Sequence, residues 1–348
     1  MVHRDRTDSP TLGEFELIER VRARLREAEA DRSPRLAIGP GDDAAVLSAS
    51  GATAVSVDAL VEGVHFRRET APPRTVGRKA IAAALSDLAA VGAAPAEAYV
   101  AIGIPQDLGE GPCLELADGL IDAAREWSTA VAGGDVTASP VLFISVTVVG
   151  TLASADGAVT RAGARPGDLV AVTGELGGAA AGLLLLERPQ LADRVPAESA
   201  KRLRERHLEP APRLEAGRAL AGTGATAMID LSDGLGADAG HLAAASGTRI
   251  EIGLERLPIA PGVEETAAAV DLDPVELAGA GGEDYELVVC LPPPAFSEAA
   301  DAVTATGTSL TAIGSAVPGE GRVALFDANG AERPAAGYDH LRGSAGRA

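Results

Sequence analysis

The stretch Met228–His241, "MIDLSDGLGADAGH", places an apolar run directly before two aspartates, a serine and several glycines. Residues 227–229 are typical of a buried strand, and the pattern from Leu235 onward is typical of a helix. Asp230 and Asp233 therefore stand where a strand ends. A carboxylate is costly to hold beside an apolar core unless a cation or hydrogen bonds offset its charge. The stretch predicts an α/β protein whose strand ends hold a cation or a ligand.

Chain length and composition predict two domains. At 348 residues, with 46% apolar residues and a mean hydropathy of +0.13, the chain is long for one core and typical of a globular protein. The apolar pattern lapses at "ASADGA", residues 153–158. We therefore expect an N-terminal domain over residues 1–153 and a C-terminal domain over 154–348, each a mixture of strands and helices.

The charge balance argues against several kinds of partner. The chain has 30 Lys and Arg against 50 Asp and Glu, a formal net charge of −20, which repels nucleic acid and anionic membranes. Its longest apolar run, around 141–149, is too short to span a bilayer, and the N-terminus carries no apolar signal region. Cys113 and Cys290 form no motif, as expected in a reducing compartment. We expect a cytoplasmic protein that binds neither membranes nor nucleic acid.

Hydrophobic periodicity predicts the secondary structure. In the first half, helices are expected over about 12–30, 73–91 and 112–127, with strands at "TAVSVDALV", "AEAYVAIGIP" and "PVLFISVTVVG". In the second half, helices are expected at "LGGAAAGLLLL" and from Leu235, with strands at "DLVAVTG", "ATAMID", "TRIEIGL", "YELVVCL" and "SLTAIGSAV". Both halves are therefore predicted to be α/β.

Aspartates recur beside glycines or at strand ends in six places: "GPGDDAAVL", "VSVDALVEGVHF", "SDLAAVG", "AGGDVT", "IDLSDGLG" and "GGEDYELV". One such pair is typical of a turn or a helix cap, but six together favour a cation site. Asp87 is the sharpest case, because it shares a face with Ala80, Ala84 and Val91 on an otherwise apolar helix. Carboxylate ligands with few histidines and cysteines favour Mg²⁺ over Zn²⁺.

Several phosphate-handling motifs are absent. The sequence has no G-x-x-x-x-G-K-[ST] and no D-F-G, and neither Lys79 nor Lys201 stands in a glycine-rich loop. The tripeptide H-R-D occurs at residues 3–5, but without the D-F-G that accompanies it in protein kinases. P-loop NTPases and protein kinases are thereby excluded. "TGELGGAAAGL" could present backbone N–H groups to a phosphate, although glycine-rich helix starts also serve close packing. If phosphates bind so acidic a chain, metal ions must neutralise them.

A series of motifs then occurs in one order: "GDDAAVL", "VDALVEGVHF", "ALSDLAAVGAAP", "GGDVT", "TRAGARPGD", "IDLSDGL", "GGEDYEL" and "GYDH". From about Gly13 to His340 the chain resembles the thiamine-monophosphate kinase family, within the aminoimidazole-ribonucleotide-synthetase-like ATP-binding superfamily. The resemblance implies a two-domain, mixed α/β fold. It also implies a homodimer in which the N-terminal sheets of two subunits form a shared barrel.

The resemblance implies transfer of the γ-phosphoryl group of ATP to thiamine phosphate, with metal ions assisting an in-line reaction and without a protein nucleophile. It places several Mg²⁺ ions at Asp43, Ser56, Asp58, Asp87, Asp135, Asp230 and Asp233. It places ATP at Gly134, Asp135, Arg161 and Ser232, and thiamine phosphate at His65, Glu283 and Tyr338. The number of ions and a contribution of K⁺ stay open.

Two positions depart from the family pattern. Val57 stands where the family often has threonine, so a metal contact there would use the backbone. Trp127 stands where a tyrosine near the adenine is common, and it is either an equivalent ring or part of the core. His3, His207 and His241 are interpreted as structural.

Two other functions remain open: a sister ATP-dependent synthetase with another acceptor, and a non-catalytic protein that binds thiamine phosphate or metal. Selenophosphate synthesis would need a reactive cysteine or selenocysteine near the N-terminus, and none is present. ADP formation measured with and without thiamine phosphate separates all three functions.

Overall fold

A computed structural model describes residues 14–38, 46–48 and 50–334 of the chain. Asp43 and Tyr338 lie outside the described residues. Within them, no helix has the length and apolar character needed to cross a membrane. The α-helices are α1 (Glu14–Glu27), α2 (Pro73–Ala90), α3 (Glu110–Glu126), α4 (Gly178–Glu187), α5 (Ala197–Leu208), α6 (Leu214–Gly222), α7 (Leu235–Ser246), α8 (Val263–Ala269), α9 (Pro274–Ala280) and α10 (Phe296–Thr304). The strands are β1 (Leu36–Ile38), β2 (Val46–Leu47), β3 (Ala52–Val61), β4 (Ala94–Ile104), β5 (Ala130–Ala138), β6 (Phe143–Leu152), β7 (Leu169–Thr173), β8 (Ala227–Asp230), β9 (Arg249–Gly253), β10 (Leu287–Leu291), β11 (Leu310–Val317), β12 (Val323–Phe326) and β13 (Glu332–Arg333). Strands and helices mix in both halves, which confirms the prediction of a mixed α/β protein.

The chain divides into two compact units, each built from separate stretches of sequence. The first unit is Met1–Ala49, Val57–Ile81 and Ala96–Thr147. The second unit is Ser50–Ser56, Ala82–Pro95 and Val148–Ala348. Ser56 and Asp87 therefore belong to the same unit as the strand end at Asp230.

In the first unit, β4 and β5 pair in parallel, with Val100 opposite Gly134 and Ala101 opposite Asp135. The two strands belong to a sheet with the order β3–β6–β4–β5. A Cβ atom at residue 134 would lie 2.2 Å from the carbonyl oxygen of Val100, so glycine is required there. Strand β5 was not predicted, because the two glycines of "AGGDVT" weaken its strand signal. The same glycines allow the close backbone approach.

In the second unit, a sheet has the order β13–β12–β9–β11–β7–β10–β8. Its core includes Val172, Ile229, Ile252 and Val288, against which the apolar side of α7 packs through Leu242. Strand β8 pairs antiparallel with β10, so that Asp230 stands opposite Leu287. The sheet thereby places the last residue of β8 beside the segment that leads into β10.

Several helices of the second unit were missed by the sequence reading. Helix α5 is one, because only Ala200, Leu203 and His207 of its twelve residues are buried. With so few apolar residues among charged ones, the segment lacks the apolar content that made the other helices recognisable in the sequence. Helices α6, α8, α9 and α10 are nine residues or shorter, which leaves few apolar positions from which to detect a period.

Candidate active site

The strand end at Asp230 carries a buried carboxylate. All four residues of β8 are buried, and Asp230 is 5% exposed. The hydroxyl of Ser86, on α2, donates a hydrogen bond of 2.7 Å to Oδ2 of Asp230. Burial, and after it the negative charge of Asp87, raise the pKa of Asp230 to about 7, against the opposing effects of Ser86 and Arg161. The ionised form of Asp230 is therefore costly without an added cation.

Asp87 lies one residue after Ser86 on α2 and is held in a similar way. The hydroxyl of Ser56, on β3, donates a hydrogen bond of 2.5 Å to Oδ2 of Asp87. Burial raises the pKa of Asp87, while the Ser56 hydroxyl and the charge of Arg161 oppose the rise. Of the apolar face predicted for this helix, Ala80 and Ala84 are fully buried, whereas Val91 follows the end of α2 and is only partly buried. The second unit thus contains two aspartates, each oriented by a serine hydroxyl.

The chemistry of this pair fits Mg²⁺. Carboxylate and hydroxyl oxygens are hard ligands, and Mg²⁺ is commonly held by one or two carboxylates while substrate phosphates and water complete its shell. In residues 14–38, 46–48 and 50–334, no group of three or more His, Cys, Asp or Glu side chains is arranged to hold an ion by itself. Phosphate oxygens would therefore have to complete an ion site at Asp87 and Asp230.

The loop after β8 is organised by a residue of α7. One carboxylate oxygen of Asp238, Oδ2, accepts the backbone N–H groups of Ser232, Asp233 and Gly234 at 3.0, 3.0 and 3.1 Å. Asp238 is 2% exposed, and burial raises its pKa to about 7, with the charge of Asp230 as the next cause. The loop therefore has its amides turned inward, onto a carboxylate of the chain itself.

The segment "GGEDYEL" donates backbone hydrogen bonds to the same loop. The backbone N–H of Glu283 donates to the carbonyl of Ser232 at 2.8 Å, and that of Tyr285 donates to the carbonyl of Leu231 at 2.9 Å. The backbone φ angles of Glu283 and Tyr285 are 67° and 49°, in the left-handed region that residues other than glycine seldom adopt. The Glu283 carboxylate lies 3.3 Å from Nδ1 of His207. Glu283 is thus fixed both by its backbone and by its side chain.

The next two acidic residues of the segment have structural partners. Asp284 accepts the backbone N–H groups of Gly177 and Ala179, at 2.6 and 3.0 Å, and so caps α4. Burial raises the pKa of Asp284 to about 6. Glu286 is fully buried and pairs with Arg206 at 3.0 Å and Arg213 at 2.5 Å. The "TGELGGAAAGL" helix start therefore receives a carboxylate of the chain at its N-terminus.

Among the described residues, four of the predicted site residues lie in the first unit. Nδ1 of His65 accepts the backbone N–H of Val61 at 3.1 Å, and the buried Lys79 donates to the His65 carbonyl at 3.5 Å. Because Nδ1 is an acceptor there, Nε2 of His65 carries the proton. Asp58 accepts the N–H of Ala59 at 2.7 Å. Gly134 and Asp135 are exposed on β5.

Known proteins resemble this chain over most of its length. The family models described as AIR synthase related protein, N-terminal domain and C-terminal domain, match residues 41–152 and 165–326. A thiamine-monophosphate kinase of Mycobacterium tuberculosis (strain CDC 1551 / Oshkosh) is 41% identical over 292 residues, which cover 82% of this chain and 83% of that protein. The chain belongs to the thiamine-monophosphate kinase family.

Solved structures of the family have the same fold. The thiamine-monophosphate kinase of Stenotrophomonas maltophilia K279a has a TM-score of 0.78 and 36% identity, over 90% of this chain and 96% of that one. A structure of AaThiL complexed with AMPPCP and TMP has a TM-score of 0.73 and 33% identity, over 96% of this chain and 99% of that one. The family resemblance inferred from the motifs is therefore confirmed.

The structure brings some of the predicted site residues together. Ser56, Asp87 and Asp230 are linked through hydrogen bonds or through their charges, and Arg161 acts on both aspartates through its charge. Ser232, Asp233 and Glu283 meet where the two loops of the second unit bond to each other. The assignment of all these residues to metal, ATP or thiamine phosphate stays a prediction.

Trp127 and Val57, the two residues that depart from the family pattern, lie in different surroundings. The guanidinium of Arg78 lies 4.8 Å from the centre of the Trp127 ring, a cation–π contact, and Arg78 also pairs with Glu126 at 2.7 Å. Trp127 thus has a partner within the first unit. Val57 is 62% exposed.

Three residues of the second unit contact predicted site residues, and sequence reasoning did not foresee these contacts. They are Ser86, Asp238 and His207, which contact Asp230, the loop at 232–234 and Glu283 respectively. Ser86 had a signal, since it is the first residue of the quoted "SDLAAVG". Asp238 had a weaker one, as an aspartate in the first turn of the helix that follows the loop. His207 is distant in sequence from every quoted motif, so only the fold reveals it.

Proposed function

We propose that the chain is an ATP-dependent thiamine-phosphate kinase, which transfers the γ-phosphoryl group of ATP to the phosphate of thiamine phosphate and forms thiamine diphosphate and ADP. The observation that carries the proposal is the pair Asp87 and Asp230, two carboxylates of raised pKa that are oriented by serine hydroxyls. Family membership supports the identity of both substrates, because the related AaThiL has been solved with AMPPCP and TMP.

The proposed site contains every residue that the family resemblance implied. Mg²⁺ ions would be held by Asp43, Ser56, Asp58, Asp87, Asp135, Asp230 and Asp233. ATP would be contacted by Gly134, Asp135, Arg161 and Ser232, and thiamine phosphate by His65, Glu283 and Tyr338. We include several Mg²⁺ ions in the proposal and keep K⁺ as a candidate for an additional role.

The residues of the chain would act by positioning and by charge. Bound Mg²⁺ would supply the positive charge that two approaching phosphates require. The hydroxyls of Ser56 and Ser86 donate hydrogen bonds that orient the two aspartates. Nε2 of His65 carries a proton and can donate a hydrogen bond to an anionic acceptor. No side chain is required as a nucleophile, since an in-line transfer needs only alignment of the two substrates.

The domain division and the dimer belong to the same proposal. Domains over 1–153 and 154–348 are supported by the family-model matches at 41–152 and 165–326. A homodimer with a shared barrel is supported by Val55 and Val57 on β3, each 62% exposed at the end of the sheet order. Exposed apolar side chains on an edge strand are typical of a surface that another strand covers. Sedimentation of wild type and of Val57→Lys tests this, with a dimer and a monomer expected.

The activity is tested by measuring ADP and thiamine diphosphate with the purified chain, Mg²⁺ and ATP. We expect the two products in equal amounts with thiamine phosphate, and no turnover with free thiamine, in K⁺ and in Na⁺ buffers. ADP formation from another phosphorylated or carbonyl-containing acceptor alone would indicate a sister synthetase. Binding of Mg²⁺–ATP and thiamine phosphate without turnover would indicate a non-catalytic binding protein.

A further inference from the structure

The loop at residues 232–234 forms a concave arrangement of amides. Three consecutive backbone N–H groups, those of Ser232, Asp233 and Gly234, converge on a single oxygen, Oδ2 of Asp238. Converging amides of this kind form an anion-binding nest, the arrangement in which many proteins hold a phosphate. We call the three amides the 232–234 nest. In this chain a carboxylate of the protein already occupies it.

The surrounding contacts keep the nest in shape. Gly234 has a φ of 106°, and a Cβ atom there would lie 2.9 Å from the carbonyl oxygen of Ala280. A Cβ atom at Gly282 would lie 2.6 Å from the carbonyl oxygen of Ser232. The two glycines therefore let the "GGEDYEL" segment lie against the outside of the loop while Asp238 fills its inside. The three N–H groups of the loop, and the carbonyls of Ser232 and Gly234, form hydrogen bonds within the chain.

We propose that Asp238 is a positioning residue for nucleotide binding: its carboxylate fills the 232–234 nest, so that the loop contacts Mg²⁺–ATP through the side chains of Ser232 and Asp233 and not through its amides. The inference rests on the proposed function for the identity of the nucleotide. It assigns Asp238 no contact with substrate or metal. An anion is needed in the nest because three N–H groups aimed at one buried point would otherwise lack an acceptor.

This loop differs from a phosphate-binding loop in what occupies its amides. In a P-loop the amides bind the phosphates directly, and an aspartate in the nest would compete with them. In this chain the aspartate frees the loop to present one hydroxyl and one carboxylate. Removal of Asp238 should therefore weaken Mg²⁺–ATP binding, and a small anion from solution should restore it by filling the vacated nest.

The test uses Asp238→Ala in the full chain, with formate as the replacement anion. Without formate we expect the thermal shift caused by Mg²⁺–ATP to fall, and the KM for Mg²⁺–ATP to rise about 10- to 100-fold, as when a partner that orients a metal ligand is removed. With formate we expect the melting temperature and the Mg²⁺–ATP response of the variant to recover. Wild type, whose nest is filled, should not respond to formate.

Asp327→Ala is the matched control, because Asp327 also accepts backbone N–H groups, from Asn329 and Ala331, in an exposed turn. It should leave the Mg²⁺–ATP response unchanged and show no effect of formate. A normal Mg²⁺–ATP response in Asp238→Ala, or the absence of any effect of formate on that variant, would overturn the inference. If Asp238→Ala does not fold, Asp238→Asn decides: a reduced response to Mg²⁺–ATP supports the inference, and a wild-type response contradicts it.

These outcomes remain separable from the proposed function. The thermal shifts require no turnover, so they report on Asp238 even if thiamine phosphate proves not to be the acceptor. In that case wild type would respond to Mg²⁺–ATP without forming thiamine diphosphate, and the proposed function alone would fail.

Discussion

Two buried carboxylates of the second unit lie near each other at the ends of paired strands, but they have opposite kinds of partner. Glu286 directly precedes β10, and Asp230 ends β8, where it stands opposite Leu287. Glu286 pairs with Arg206 and Arg213 and also accepts the hydroxyl of Thr173 at 2.8 Å. Asp230 receives a hydroxyl from Ser86 and lies within the field of a second aspartate.

The difference separates architecture from function. The charge of Glu286 is compensated by two arginines of the chain, so this carboxylate can hold α5 and the segment before α6 onto the sheet. Asp230 is oriented but only weakly compensated, and its raised pKa records the energetic cost of its ionised form. A carboxylate that a protein orients without neutralising it is suited to a cation that arrives with a ligand.

The largest effect on stability is expected from removing the charge of Glu286, which tests whether the two carboxylates differ. Glu286→Gln leaves two partly buried arginines without their counter-ion, and we expect a loss of about 3–5 kcal/mol in the free energy of unfolding. Urea denaturation measures it. The control is Glu215→Gln, which removes an exposed partner of Arg218 and should change stability by about 0–1 kcal/mol. A small loss for Glu286→Gln would show that the two acidic sites are not different in kind.

The converse change is Asp87→Asn, which should remove function while leaving the fold intact. Without ligand we expect its melting temperature to equal or exceed that of wild type, because a charge with a raised pKa has been removed. Mg²⁺–ATP should stabilise wild type by about 2–4 kcal/mol at saturation, and this gain should be lost in the variant together with turnover. Near-normal turnover at ordinary Mg²⁺ would show that Asp87 is not a metal ligand.

The contrast between Glu286 and Asp230 also marks how far sequence reasoning reaches. The aspartate-rich motifs, the helix from Pro73 and the strand ending at Asp230 were predictable, because local periodicity and the order of motifs encode them. The arginine partners of Glu286 were not predictable, because Arg206 and Arg213 are 80 and 73 positions away, in or just before helices that the sequence did not reveal. "GGEDYEL" alone does not reveal that Asp284 and Glu286 are structural while Glu283 is placed at the predicted site.

A graded effect is expected from pH. The pKa of Asp230 is raised from 3.8 to about 7, so the folded protein binds more protons than the unfolded chain between these two values. The contribution of this group to stability is therefore fully present below about pH 4 and is lost as the pH rises through about 7. We compare wild type with Asp230→Asn, both without metal, by urea denaturation across this range. The variant should gain stability relative to wild type as the pH rises, and a constant difference would contradict the raised pKa.

The smallest effect is expected from removing the Ser86 hydroxyl, which orients Asp230. The hydrogen bond from Ser86 favours the ionised carboxylate, so Ser86→Ala should raise the pKa of Asp230 further. At neutral pH a larger fraction of Asp230 would then be protonated, and a proton competes with a metal ion for the same oxygens. We expect the stabilisation by Mg²⁺–ATP to fall by about 1 kcal/mol, the usual value of one such hydrogen bond, and to recover as the pH is raised.

The control for Ser86→Ala is Thr226→Val, which removes a hydroxyl that donates to Oδ2 of Asp168 at 2.7 Å. Asp168 is outside the proposed site, so this variant should lose stability without any change in the gain from Mg²⁺–ATP. The recovery at higher pH is the decisive measurement, because a loss of packing at residue 86 would persist at every pH. A deficit that does not depend on pH would mean that Ser86 supports the fold of α2 and not the ionised state of Asp230.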